Sequence, residues 1–180
     1  MELIGFPESY RVTACLMALE ACGLEYKASL ISSAELKSSE RIKQLNPQGK
    51  VPILVTPEGP VYETMAIIRH ASRLSNKLRG SSPYEHALVD QWLSWTNSEI
   101  SSILPQFYYQ HAGFEAPGIS YKPEDILRGK EAFLLKLSHL AASLQGKKYL
   151  VGNDVTIADI TVACYIYQAM AFCLSDKERN

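Results

Sequence analysis

No run of about 18 apolar residues, the length a helix needs to span a bilayer, occurs anywhere in the chain, so no membrane segment is expected. The chain opens on no basic stretch followed by an apolar one, so no secretory leader is expected either. Neither sign of charge is in excess. Eighteen Lys and Arg stand against 19 Asp and Glu, and a net charge of −1 argues against direct nucleic-acid binding. Cysteine is sparse: Cys15, Cys22, Cys164 and Cys173 all fall in helix-like segments and include no Cys-x-x-Cys pair. Reduced, mostly buried thiols of a cytoplasmic protein are therefore expected, not a disulfide framework. His70, His86, His111 and His139 are scattered and make no metal-ligand set, so no metal is expected. Internal repeats and low-complexity tracts are also lacking, which excludes a solenoid. What is there is an ordinary globular composition, 47% hydrophobic and 21% charged, in a chain long enough for one sizeable core or two small ones.

Apolar residues 3–6 read as a short strand broken by Pro7-Glu8-Ser9. Val12, Cys15, Leu16, Leu19 and Cys22 recur at helical spacing, and Gly23 is a helix stop. A second strand over 26–31 completes a βαβ unit with parallel strands. Residues 33–45 are charged and weakly helical. Residues 53–55 and 61–62 flank a Pro/Gly turn and read as an antiparallel hairpin, followed by a helix to residue 74. The polar stretch 76–83 is a linker, and everything after it reads as helix. Trp92, Trp95, Ile100 and Leu104 are expected on one long helix from Tyr84 that fills its own domain. Residues 111–122 read as a loop, Pro123 suits a first helical turn, and Gly146 ends that helix. Thr156 and Asp159 have the spacing of a capping box that starts a third helix.

The run Asn46-Pro47-Gln48-Gly49-Lys50-Val51-Pro52, followed by Glu63-Thr64, carries the chemistry. A proline entering a strand cannot donate to the ladder, so Pro52 belongs at a strand start. A cis bond there would turn the Val51 backbone outward, free to pair with an extended peptide. Glu63-Thr64 falls at a helix N-terminus, where free N–H groups favour an anion. Together these are parts of a site for a small peptide bearing carboxylates. Blander readings stand beside them: Lys50 as a solvated charge, Glu63 as a complement to the helix dipole, and Ser9 as the N-cap of the first helix.

These motifs resemble the glutathione site of the glutathione transferase superfamily, with Thr64 where the family usually has Ser. Residues 150–159 resemble the N-capping motif of its helical domain. The resemblance implies an α/β thioredoxin-like N-terminal domain over 1–75, a linker over 76–83 and an all-α domain over 84–180. It implies that the Val51 backbone meets the cysteinyl part of glutathione beside Pro52. Glu63 and Thr64 would hold the γ-glutamyl end, and Lys50 and Gln48 the glycyl carboxylate. Such an enzyme stabilises a thiolate, which needs a hydroxyl or an electropositive helix start. In Phe6-Pro7-Glu8-Ser9-Tyr10-Arg11 there is no Cys, Phe6 has no hydroxyl, Ser9 is the candidate donor and Tyr10 a weaker one.

Within the superfamily this window, Gln91-Trp92-Leu93-Ser94-Trp95, and the run from Leu150 to Thr161 resemble the gamma-subunit branch of the translation elongation factor 1 complex. That branch implies an interaction module docking protein partners of the translation apparatus or of a tRNA synthetase assembly. It implies pairing as a homodimer or with another transferase-like chain, with no cofactor and glutathione as a possible ligand. The alternative is an active glutathione transferase using Ser9 as thiolate donor. The resemblance also implies a further helix beyond Asn180.

Overall fold

The computed structural model of the protein describes residues 1–111 and 122–174. Its first half is built around strand β1 (Glu2–Gly5), where Leu3 and Ile4 are almost wholly buried. β2 (Lys27–Leu30) lies parallel to it, with Glu2 opposite Lys27 and Gly5 opposite Leu30. The crossover between them is α1 (Tyr10–Cys22), which ends at Gly23 in the left-handed conformation (φ 69°). A Cβ at residue 5 would collide with the Val12 side chain, so Gly5 is what lets α1 pack this close to β1. β3 (Ile53–Thr56) runs antiparallel on the other side of β1 and turns into β4 (Gly59–Tyr62), giving the sheet order β2-β1-β3-β4. The βαβ unit and hairpin expected from the sequence are both present.

Residues 33–45 form two helices, not one. Ser32 caps α2 (Ser33–Ser38), and Ser39, in an extended conformation, stops it and caps α3 (Glu40–Leu45). The helix after the hairpin, α4 (Thr64–Ser75), buries Met65, Ile67, Ile68 and Ala71 on one side.

The long helix expected from Tyr84 is broken, a correction with a local cause. α5 (Pro83–Trp95) gives way to a π-helical segment, Thr96–Ile100, before α6 (Leu104–His111). Buried Thr96 donates its hydroxyl back to the Trp92 carbonyl (2.8 Å), and the Ser101 N–H reaches the Thr96 carbonyl five residues back (2.9 Å). Such back-bonding bends helices, and Pro105, lacking an N–H, restarts the register. Trp92 and Trp95 meet edge-on at 5.2 Å and both approach His139. His139 lies on α7 (Pro123–Leu144), which starts on Pro123 as expected. Of the loop expected at 111–122, His111 instead ends α6 and Lys122 is the N-cap of α7, while residues 112–121, like the helix expected beyond Asn180, lie outside the described residues.

α8 (Ile157–Cys173) starts at the capping box. The Thr156 hydroxyl accepts from the backbone, and the Asp159 carboxylate accepts from the Thr156 N–H (2.8 Å). α1 packs between α4 and α8, so one apolar core joins the sheet side to the helical side. At this junction Tyr10 meets Tyr165 edge-on at 4.7 Å. A smaller cluster, Ile4, Ile42 and Ile53, fills the opposite face of the sheet under α3. Among the described residues no helix is long and apolar enough to cross a membrane.

Candidate functional site

Register brings the site together. Ile4 pairs with Ile53, and Ile53 with Tyr62. Phe6, Val51-Pro52 and Glu63-Thr64 therefore emerge at one end of the sheet, although they are far apart in the chain. They line a cleft of about 380 Å³.

One wall is the loop before β3. Asn46, 3% exposed, donates its side-chain amide to the Lys50 carbonyl (2.8 Å) and accepts from the Gln48 N–H (3.1 Å). Gly49 supplies the positive φ (63°) that this tight loop needs. The loop delivers Lys50, exposed, then Val51, half-buried, then Pro52, buried. The Val51–Pro52 peptide is cis. Val51 precedes the paired register, which begins at Ile53.

The second wall is the start of α4. Glu63 is the N-cap, with φ 72° and ψ 118°, a conformation rare for a residue with a Cβ. Its side chain does not cap the helix. Its carbonyl accepts from Ala66 and Ile67, and its exposed carboxylate is left to the cleft. Thr64 behind it is buried, and its carbonyl takes a weak contact from Cys15 Sγ at 4.0 Å.

The third wall was not read from the sequence as part of the site. Arg11, on the first turn of α1, lies in the cleft beside Phe6. It donates to Ser101 Oγ (2.7 Å), and its guanidinium sits 4.6 Å from the centre of the Tyr10 ring. Asn97 comes from the π-helical segment, and Leu36 from α2. Arg11 stood inside the window searched for a thiol donor, and its charge was the available signal. Asn97 had no local signal, because a tertiary distortion of the helix puts it there.

Of the residues the sequence singled out, Lys50, Val51, Pro52, Glu63 and Thr64 share this cleft. Ser9 and Gln48 do not line it. The Ser9 hydroxyl accepts, at a long 3.5 Å, from the Val12 N–H and so caps α1. Gln48 is exposed on the loop tip. Tyr10, the weaker donor candidate, is 1% exposed and packs inward on Tyr165.

The cleft thus sets two cations, Lys50 and Arg11, against one carboxylate, Glu63. This distribution suits an extended peptide with carboxylates and an ammonium group. No cysteine is among the described residues that line the cleft. Burial, with the nearby Cys164, pushes the Cys15 thiol far up, and burial pushes Cys164 up to about 11. Among the described residues no group of three or more His, Cys, Asp or Glu could hold a metal ion.

Two family models match the chain: "Glutathione S-transferase, N-terminal domain" over residues 1–73 and "Glutathione S-transferase, C-terminal domain" over 82–177. A probable elongation factor 1-gamma 2 of Arabidopsis thaliana is 36% identical over 169 residues, 90% of this chain and 39% of its own length. Elongation factor 1-gamma 1 of Oryza sativa subsp. japonica is 38% identical over 137 residues, 75% of this chain and 32% of its own. The chain therefore spans about two fifths or less of the length of these relatives. Among solved structures, the theta class glutathione S-transferase of Xanthomonas axonopodis pv. citri, with glutathione bound, superposes with a TM-score of 0.86 at 23% identity. That match covers 97% of this chain and 84% of the other. Glutathione S-transferase-I bound with lactoylglutathione gives 0.81 at 27% identity, covering 96% and 84%.

Proposed function

The chain belongs to the glutathione S-transferase family, and on that premise we propose that it is a docking module of the translation elongation factor 1 complex, or of a related tRNA synthetase assembly. The observation that carries this reading is the likeness to elongation factor 1-gamma along nine tenths of the chain. The cleft is consistent with it. Lys50, Val51, Glu63 and Thr64, which line it with Pro52, would take the ends of glutathione. Phe6, which carries no hydroxyl, lines the cleft, and Ser9 is engaged as a helix cap.

Thiolate stabilisation depends on such a hydroxyl, so its loss reduces turnover far more than binding. The chain therefore binds glutathione weakly, conjugates it poorly, and works in the cytoplasm through protein contacts. Pairing is with a second copy or with another transferase-like chain, through surfaces related by a two-fold axis. Gln48, exposed on the loop tip and outside the cleft lining, is the least important of the proposed contacts.

Three measurements test this. Calorimetry with glutathione should give weak binding. Conjugation of a standard electrophile should run well below roughly 1 per second, and Ser9→Ala should leave it unchanged. Sedimentation velocity at micromolar concentration should find a dimer, alone or with a translation-factor subunit. Turnover at ordinary enzymatic rates that disappears in Ser9→Ala would make this a Ser-type transferase instead.

A further inference from the structure

β2 ends the sheet on one side. Its inner edge is paired with β1: the Lys27 N–H donates to the Met1 carbonyl and the Ile31 N–H to the Gly5 carbonyl, both at 2.9 Å. Along an extended strand the N–H and C=O groups of successive residues point to opposite edges. Ser29 therefore faces β1 with Lys27 and Ile31, and Ala28 and Leu30 turn their backbone groups outward. Among the described residues no strand pairs with that outer edge. Ala28 is exposed and Leu30 is 51% exposed. β2 holds no proline and keeps an unbroken register, so two usual means of closing an edge to other chains are missing.

A concavity of about 360 Å³ lies beside this strand, on the sheet face that α3 covers. Lys27, Ser29 and Ile31 line it from β2. Its other charged groups are engaged. The Glu2 carboxylate accepts from Arg41 and from Ser29 Oγ, and Glu35 accepts from the Ser32 N–H and hydroxyl. Lys27 is exposed and forms no ion pair among the described residues. The strand thus offers a row of cation, hydroxyl and apolar side chain beside two open backbone pairs.

We propose that the β2 edge docks an extended segment of a partner protein that carries an acidic side chain. The segment adds a strand antiparallel to β2. It exchanges both backbone bonds with Ala28 and with Leu30, the hydrogen-bonded pairs of such a ladder. Its acidic side chain stands opposite Lys27, and an apolar one opposite Ile31 reaches the concavity on the same face. The concavity shares no lining residue with the glutathione-type cleft, and the docking does not depend on what that cleft binds.

The test uses the capped peptide acetyl-Thr-Val-Val-Thr-Val-Glu-Ser-amide, whose third and fifth residues fall opposite Leu30 and Ala28. In NMR titration of the whole chain the Ala28 and Leu30 amide signals should move. Their solvent exchange should slow about threefold at a peptide concentration of twice the Kd. N-methylation of the third and fifth residues keeps every side chain and removes the two N–H donors; it should weaken binding by at least about tenfold. Changing the peptide's Glu to Lys should weaken it about threefold, and the order of the two peptides should reverse on Lys27→Glu. Equal binding of the N-methylated peptide, no binding at about 1 mM, or Ala28 and Leu30 amides that do not respond would overturn the proposal. Indifference to the peptide's charge would overturn the acidic partner. Slowed exchange at Ala28 and Leu30 that grows with protein concentration, without peptide, would assign the edge to a second copy of the chain instead.

Discussion

Glu63 is where backbone cost and site geometry meet. A residue with a Cβ held at φ 72° costs about 1–3 kcal/mol, and here its carboxylate faces the cleft without capping α4. Glycine relieves that cost but adds about 0.5–1 kcal/mol of unfolded-state entropy. Glu63→Gly should therefore be as stable as the parent or gain up to about 2 kcal/mol in urea unfolding. Glu63→Gln keeps the shape and removes the charge; it should weaken glutathione by about tenfold or more in calorimetry, the size of a lost charge-assisted bond. A destabilised Gly variant would mean that φ 72° is comfortable in this setting.

The thiols give a second residue-scale outcome. Cys15 and Cys22 are almost wholly buried, and burial holds the Cys15 thiol protonated well above neutral pH. Since only the thiolate is alkylated, iodoacetamide at about pH 8 should modify these two cysteines only after unfolding in urea, as read by peptide mass spectrometry. Fast labelling of native Cys15 would contradict the packing of α1 against α4.

At the scale of elements, caps decide where helices begin, and Asp159 does more than cap. Its carboxylate accepts from the Thr156 N–H (2.8 Å), the Thr156 hydroxyl (2.9 Å) and the Leu150 N–H (2.8 Å). It thereby fastens the turn after α7 to the start of α8, the helix that α1 packs against. Hydrogen bonds to a charged acceptor contribute about 1.5–3 kcal/mol, so Asp159→Ala should lose about 2–4 kcal/mol in urea unfolding. Thr156→Ala removes one cap and should lose about 1 kcal/mol. If the two variants lose the same amount, the tie to Leu150 contributes nothing. The π-helical segment is the other lesson at this scale: Thr96, read only as part of a helix, places Asn97 in the cleft by bending that helix.

Across the whole molecule, acid sensitivity follows from carboxylates held below the usual range near 4.5, four of them among the described residues. Glu2 is lowered by Arg41 first and then by Ser29, which ties β1 to β2 and α3. Glu35 is lowered by the Ser32 backbone, Glu85 by Ser81 and Glu99 by Lys136. A carboxyl with a depressed folded pKa contributes stability that is fully present above its unfolded value and is lost as pH falls through the folded one. Urea unfolding should thus be nearly independent of these groups above about pH 6 and weaken steadily below about pH 4.5. Glu2→Gln should flatten part of that slope, and high salt should do the same by screening exposed pairs. A slope unchanged in Glu2→Gln would place the acid sensitivity elsewhere.

Local chemistry was enough to determine much of this protein. Helical spacing and Gly23 bound α1, the Pro/Gly turn made the hairpin, and Thr156 with Asp159 started α8, because each depends on neighbours within a few residues. Lys50-Val51-Pro52 and Glu63-Thr64 were legible as candidate site residues for the same reason: a proline at a strand start and a polar pair at a helix start have local physical meaning. Only the tertiary structure decided which of them meet. The pairings Ile4–Ile53 and Ile53–Tyr62 bring the two motifs to one end of the sheet and leave Ser9 and Gln48 outside the cleft lining. Arg11 and Asn97 gain their places in the cleft from packing between elements distant in sequence. No periodicity or spacing encodes such contacts, because their energy exists only once the core has closed.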